Sequence, residues 1–207
     1  MRPLPRVHAF TDAKVLADQD FGIRAAAIAA GGSAVALHAR ARGTGGALLA
    51  RIVQRLLTLA RPPEGSVFVS GRSDIAAALG AHGVQLARND LAPADARRLL
   101  PHGWIGCSVH TRDEAAAAVR EGADFLVAGN VYETDSHPGR PAAGLNLIRE
   151  VAMLGVPVIA IGGITPARAA EVKAAGAYGV AAIRALWQAP DPATATLALL
   201  EPWTGDQ

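Results

Sequence analysis

Short apolar runs rich in β-branched residues alternate along this chain with longer stretches whose apolar residues recur at helical spacing. Such short runs are typical of parallel strands that are buried on both faces. The longer stretches, for example ALLARIVQRLLTLA at 47–60, predict helices that bury one face. The pattern predicts eight strands, at 7–11, 34–40, 67–70, 82–86, 104–108, 125–129, 158–161 and 180–183.

One joint between a helix end and a strand start recurs in three places, as GAHGV at 80–84, GADF at 122–125 and GAYGV at 176–180. Repeated joints of this kind indicate successive parallel crossovers. Eight strands that alternate with helices favour a closed barrel over an open doubly wound sheet. We therefore predict an α/β fold in which residues 1–207 form a single-domain (β/α)8 TIM barrel.

The stretch from Pro157 to Leu186 reads as strand, glycine turn, helix, glycine turn and strand. Gly162 and Gly163 lack a Cβ, so their backbone can approach a ligand closely. Thr165 and Pro166 then begin a helix, as its cap and its first residue. Because the loops after strands seven and eight of a TIM barrel usually form a phosphate site, these turns predict phosphate binding.

Composition and net charge indicate the cellular compartment and the classes of partner to expect. A single cysteine, Cys107, excludes an internal disulfide and is typical of a reducing cytosol. No apolar run approaches the ~20 residues of a membrane helix, and the N-terminus lacks the apolar region of a signal peptide. The formal net charge is only +2 and the arginines are scattered. We expect a cytoplasmic protein that binds neither membrane nor nucleic acid.

Three segments carry a family resemblance: IGCSVHTRDEA at 105–115, GADFLVAGNVYETD at 122–135, and PVIAIGGITP at 157–166 together with GVAAI at 179–183. With them the chain resembles the thiamine phosphate synthase and thiazole tautomerase superfamily over nearly its whole length. The resemblance implies a TIM barrel with a thiamine-pathway site at its C-terminal rim. The synthase joins a pyrimidine diphosphate to a thiazole phosphate with Mg²⁺, whereas the tautomerase moves a proton on a carboxylated thiazole phosphate.

The resemblance also implies which residues bind the substrate. Both branches hold the thiazole phosphate on the backbone of two turns, which here are Gly162-Gly163 and Ala182-Ile183. Arg184 stands where the family usually has serine. Arg40 and Arg42 match basic residues of the second-strand motif and can bind carboxylate or phosphate. The candidate binding residues are completed by Ser108, which matches the family serine.

This chain departs from the synthase pattern at the positions that bind the metal ion and the diphosphate. The synthase has Asn-Asp after strand three, where this chain has Ser70-Gly71, and of its acidic run after strand four only Asp90 remains. The lysine that meets the diphosphate is replaced by His137. Since Mg²⁺ must offset the charge of a diphosphate, these losses argue against the synthase. We expect no cofactor, and Mg²⁺ at Asp90 only if the protein is a synthase after all.

Other residues favour the tautomerase branch, notably Gly71 and the run YETD at 132–135. One position departs from it, because Asn130 stands where the tautomerase has its catalytic histidine. Asparagine forms hydrogen bonds but does not transfer protons near neutral pH. His38, which shares a strand face with Arg40, and His137 are the candidate replacements. We expect His110 to support the turn beside the helix cap at Thr111.

Three functions remain open at this point. The first is a thiazole tautomerase in which another residue replaces the missing histidine, and the second is a synthase with a reduced metal site. The third is a non-catalytic protein that binds the thiazole phosphate as a partner of thiazole synthase. In each, the ligand is a thiazole phosphate. The sequence does not fix the oligomeric state, and a homo-oligomer is compatible with it.

Overall fold

The computed structural model describes residues 2–41, 43–60, 64–134 and 141–205, and eight parallel strands close into a barrel within them. Each strand pairs with the next along the chain, and β8 pairs with β1, so that Val7 lies beside both Val35 and Val180. The strands are β1 (Val7–Phe10), β2 (Val35–Ala39), β3 (Ser66–Ser70), β4 (Gly83–Leu86), β5 (Trp104–Val109), β6 (Phe125–Gly129), β7 (Val158–Ile161) and β8 (Gly179–Ala182). The predicted single-domain (β/α)8 TIM barrel is confirmed.

Helices surround the barrel and connect its strands. They are α1 (Ala13–Ala17), α2 (Phe21–Ala29), α3 (Gly46–Leu59), α4 (Ser73–Leu79), α5 (Pro93–Leu99), α6 (Arg112–Arg120), α7 (Gly144–Ala152), α8 (Pro166–Ala174), α9 (Arg184–Trp187) and α10 (Pro192–Leu200), with 3₁₀ turns at Gly32–Ala34 and Glu201–Trp203. No helix within the described residues has the length and apolar character needed to cross a membrane.

The core has two layers, because successive side chains of a strand point to opposite faces of the sheet. A larger layer lies between the sheet and the helices and includes Val7, Leu37 and Ile105. A smaller, aromatic layer fills the barrel and includes Phe68, Phe125 and Ile159. Filling the barrel in this way leaves only the ends of the strands for ligand binding.

Predicted strand boundaries agree with the structure to within one residue, but helices α1, α9 and α10 were not predicted. The first two have five and four residues, too few to show a helical period. Helix α10, PATATLALL, is apolar on nearly every side, so no polar face marks it in the sequence. The predicted cap of α6 is present, since Thr111 Oγ accepts a hydrogen bond from the Glu114 N–H at 3.2 Å.

Candidate functional site

A cavity of about 1290 Å³ opens at the carboxyl end of the barrel strands. Its wall is built from residues at the ends of β4 to β8, with Phe10 and Arg40 from the ends of β1 and β2. This is the end at which TIM-barrel enzymes place their active sites. The cavity is larger than most sites for one small ligand, which occupy about 300–1,000 Å³.

The turn after β7 offers unpaired backbone donors. The carbonyl oxygens of Ile161 and Gly162 accept hydrogen bonds from the N–H groups of Val131 and Tyr132 at 2.8 and 3.1 Å. By contrast, the N–H groups of Gly162 and Gly163 have no acceptor within the described residues. Both glycines line the cavity and have positive φ angles, +102° and +64°. The turn therefore presents donors to an anion in the cavity.

The turn after β8 faces the same cavity. Ala182 is the last residue of β8, Ile183 follows it, and Arg184 begins α9. All three line the cavity, and in the described part of the chain the Ile183 N–H has no acceptor either. The structure thus brings together the two turns that the sequence predicted as a phosphate site. Whether phosphate binds there stays a prediction.

Arg168 on α8 links the first of these turns to the loop after β6. Its guanidinium donates to the Gly163 carbonyl at 2.7 Å and lies 4.3 Å from the centre of the Tyr132 ring. The Tyr132 hydroxyl donates in turn to Glu171, also on α8. Burial, followed by this hydrogen bond, raises the pKa of Tyr132 to about 12. Arg168 therefore fixes the Gly163 peptide and adds positive charge beside it.

Polar residues of β5 and of the end of β2 line the cavity, and Gln85 of β4 supports them from behind. Ser108 Oγ accepts a hydrogen bond from Gln85 Nε2 at 3.0 Å, while the buried Oε1 of Gln85 has no partner in the described residues. The Arg40 backbone is fixed by Thr11, whose Oγ accepts from the Arg40 N–H at 2.9 Å. Ser108 and Arg40 both line the cavity, as expected for ligand-binding residues. The second predicted arginine, Arg42, lies outside the described residues.

The candidate metal ligand Asp90 lines the cavity beside Gly71. A Cβ built on Gly71 would lie 3.0 and 3.1 Å from the two carboxylate oxygens of Asp90. A second carboxylate at position 71 would therefore adjoin Asp90, and this chain lacks it. The Asp90 Oδ2 accepts a hydrogen bond from the Ala87 N–H at 2.7 Å, and no cluster of three potential metal ligands is found among the described residues. Asp90 alone suits only a Mg²⁺ ion that is also held by substrate phosphates.

His38 points into the barrel but does not reach the cavity wall. It is completely buried and stacks on Phe10, with ring centres 3.9 Å apart, and Phe10 lines the cavity above it. Burial lowers the pKa of His38 well below its ordinary value, with a smaller contribution from His8. The structure thus places this candidate catalytic residue in the core, without direct access to a ligand.

Asn130 lines the cavity at the end of β6, where the resemblance places the tautomerase histidine. Its side-chain amide donates to the Tyr132 carbonyl at 3.4 Å. His110 lies nearby, because its Nδ1 forms a short hydrogen bond with the carbonyl of Gly129. The other candidate replacement, His137, lies in the segment 135–140 outside the described residues.

Some features of this site were missed from the sequence. His110 supports the turn as expected, since its N–H donates to Glu114 Oε2, but it also lines the cavity, for which its position just after β5 was the available signal. Arg168 belongs to a run that reads as helix, and only the closed barrel shows that it lines the cavity. Gln85 lies behind the cavity wall and contacts it through Ser108. Cys107 packs in the layer between the sheet and the helices, because it points to the opposite face of β5 from Ser108. Burial raises the pKa of its thiol to about 12, so we expect it to be unreactive.

Comparison with known proteins agrees with this architecture. The family described as thiamine monophosphate synthase matches residues 7–186. The thiamine-phosphate synthase of Thermus thermophilus is 46% identical over 150 residues, which cover 72% of each chain. That of Chlorobium phaeovibrioides is 40% identical over 172 residues, or 82% of each chain.

A solved structure is similar to this chain over nearly its whole length. The thiamine phosphate pyrophosphorylase of Pyrococcus furiosus superposes with a TM-score of 0.81 at 31% identity, and the match covers 95% of this chain and 94% of the other. The named relatives are synthases, whereas the sequence departures favoured the tautomerase branch. The solved structure shares the fold and nearly the whole length with this chain, and the chain belongs to the thiamine monophosphate synthase family.

Proposed function

We propose that the cavity binds a thiazole phosphate and that the protein joins it to a pyrimidine diphosphate, as a thiamine phosphate synthase. The unpaired N–H groups of Gly162, Gly163 and Ile183 carry the first part of this proposal. Three backbone donors that converge at the carboxyl ends of β7 and β8 suit a phosphate. The arginines Arg168 and Arg184 at the same wall add the positive charge that such a ligand needs.

The size of the cavity supports a reaction between two substrates. The cavity of about 1290 Å³, part of which lies against α5 and α6, is large enough for a thiazole phosphate and a second heterocycle. Arg40 and Ser108 also line the cavity, and their polar atoms can orient a diphosphate and a ring that forms hydrogen bonds. Holding both substrates in one cavity lowers the entropic cost of their reaction.

In this reaction the thiazole ring nitrogen forms a bond to the methylene carbon of the pyrimidine, and the diphosphate leaves with the bonding electrons. Arg40 lies where it can offset the charge of the leaving group. Mg²⁺ would be held by Asp90 together with the diphosphate and would supply further positive charge. The names of the relatives at 40–46% identity support this reaction.

A second candidate function is favoured by one specific observation. Gly71 stands beside Asp90, where a second carboxylate would complete a metal site. A thiazole tautomerase needs no diphosphate and hence no such site, so the loss is harmless for it. The tautomerase instead needs a residue that removes a proton from the ring and returns one elsewhere.

Two assays on the purified protein separate these functions. The first supplies the pyrimidine diphosphate and the thiazole phosphate with Mg²⁺ and measures thiamine phosphate, which a synthase forms. The second supplies the carboxylated, non-aromatic thiazole phosphate and follows aromatisation of the ring by absorbance. Failure of both assays, with thiazole phosphate still bound in calorimetry, would leave a non-catalytic binding protein and refute both enzymatic proposals.

A further inference from the structure

His110 is the histidine that the structure places at the cavity wall. Of the other histidines in the described part of the chain, His8 and His38 are completely buried in the barrel, and His82 and His102 lie at its opposite end. His110 follows β5 directly and is only half buried. A ligand in the cavity can therefore reach its imidazole.

Two hydrogen bonds fix the orientation of this residue. The His110 N–H donates to Glu114 Oε2 at 2.8 Å, which holds the backbone against the first turn of α6. The ring contacts the Gly129 carbonyl through Nδ1. A carbonyl oxygen only accepts hydrogen bonds, so Nδ1 carries the proton.

This tautomer leaves the lone pair of a neutral imidazole on Nε2. Within the described residues, Nε2 has no hydrogen-bond partner. A carbonyl bond that fixes one ring nitrogen and leaves the other free is the usual arrangement of a histidine that transfers protons. The contact with Gly129 also places the ring next to Asn130, the position at which the tautomerase histidine is missing.

We propose that His110 is the catalytic acid–base residue of this cavity, an inference that rests on the tautomerase function above. Nε2 takes the proton from the ring carbon that bears the carboxylate, and the electrons of that C–H bond enter the ring. The exocyclic double bond of the ring's side chain then takes the same proton from Nε2, and the ring becomes aromatic. One proton moves between two carbons, so no oxidant, metal or second substrate is consumed.

The substitution His110→Asn separates catalysis from support of the fold. The amide nitrogen of asparagine can occupy the place of Nδ1 and donate to the Gly129 carbonyl, but nothing replaces Nε2. We expect aromatisation of the carboxylated thiazole phosphate to fall by ~10²-fold or more, the usual worth of a positioned acid–base residue. The affinity for thiazole phosphate should change by less than about twofold. This is well short of a tenfold loss, which would correspond to about 1.4 kcal/mol. His102→Asn, at the far end of the barrel, is the matched control and should behave as the wild type.

One further readout distinguishes this role from a structural one. When the substrate carries deuterium at the ring carbon that bears the carboxylate, the wild type should carry label to the side-chain carbon, and His110→Asn should lose this transfer. If His110→Asn does not fold, His110→Gln serves instead, because its longer amide reaches the place of Nε2 without transferring protons. A wild type that aromatises the ring and a His110→Asn variant within a few-fold of it would overturn the role of His110 alone. A wild type without this activity would overturn the tautomerase function and the role together.

Discussion

His8 and His38 share a hydrogen bond inside the barrel, with 2.8 Å between His8 Nδ1 and His38 Nε2. The other nitrogen of His8 donates to the Pro5 carbonyl at 3.0 Å, so His8 Nδ1 must accept the proton of His38. Nδ1 of His38 then carries no proton, and it is buried without a partner in the described residues. This arrangement is that of two neutral rings, the form that complete burial favours.

This pair makes the stability of the protein depend on pH. Burial lowers the pKa of His8 from 6.5 to about 4 and that of His38 well below 6.5. In the unfolded chain these histidines bind protons below about pH 6.5, whereas the folded state excludes them. Their contribution to the free energy of unfolding is therefore highest above about pH 6.5, and it falls as the pH is lowered towards 4. We expect roughly 3 kcal/mol of lost unfolding free energy from His8 alone, measured by urea denaturation between those limits.

The control removes both imidazoles at once, because losing one would leave its partner unpaired. In the double variant His8→Leu/His38→Leu, the fall in stability over this pH range should be clearly smaller than in the wild type. Carboxylates titrate over the same range and contribute equally to both proteins, so only the difference counts. Equal slopes for the two proteins would contradict the assignment.

Gly71→Asp should create a Mg²⁺ site. The new carboxylate would lie beside Asp90, and the two negative charges should repel each other until a cation binds. Both this repulsion and the positive φ of +73° should lower the melting temperature without metal. We expect added Mg²⁺ to restore much of the loss and thiamine phosphate formation to rise.

Gly80→Asp is the matched control for this change. Gly80 has a similar φ of +67°, but a Cβ there would meet nothing within 4 Å. The strain is thus repeated without a neighbouring carboxylate. Its melting temperature should fall by a similar amount and not respond to Mg²⁺, and an equal response of the two variants would refute the site.

Arg168→Ala should weaken binding of thiazole phosphate about five- to tenfold, or ~1–1.4 kcal/mol. The change removes a positive charge and the hydrogen bond that fixes the Gly163 peptide. Titration calorimetry with the phosphate and with the unphosphorylated thiazole alcohol provides the measurement. Arg149→Ala is the control, because Arg149 lies on α7 and donates to the neighbouring Asn146. Equal loss for both ligands would show that Arg168 does not act through the phosphate.

The glycines of the turn are poor probes of the same site. A Cβ on Gly163 would lie 2.8 Å from the Glu133 carbonyl oxygen, and one on Gly162 would lie 2.7 Å from Asn130 Cα. Substituting either glycine would displace the loop after β6 whether or not phosphate binds. Their presence is therefore explained by packing as well as by ligand binding.

The barrel was predictable because its signals are local. The strands of this chain are short, apolar runs, and the glycine joints repeat between them. Only the outer helices α1, α9 and α10 were not predicted. The two turns that we propose as a phosphate site were predictable for the same reason, since they follow strands seven and eight directly. The depth at which a side chain lies within the barrel could not be predicted from the sequence. His38 and Arg40 share a strand face, yet His38 is covered by Phe10 and Arg40 reaches the cavity.

The environment of each histidine also depends on contacts between strands. His110 and Gly129 are far apart in the sequence, and their hydrogen bond exists because β5 and β6 are neighbours. No pattern along the chain shows which ring nitrogen is engaged. Sequence therefore located the end of the barrel where the cavity opens, and the packing of the strands decided which side chains line it.

Asn130→His tests whether positions 110 and 130 can perform the same proton transfer. Both side chains line the cavity, and both are anchored at the end of β6, His110 through the carbonyl of Gly129. If His110 already supplies the acid–base group, Asn130→His should change aromatisation in the wild type by only a few-fold. In the His110→Asn background the same substitution should restore activity by ~10²-fold, because a positioned imidazole returns to the site. Steady-state rates of all four proteins complete the cycle. A ~10²-fold gain from Asn130→His in the wild type itself would show that His110 is not the working base.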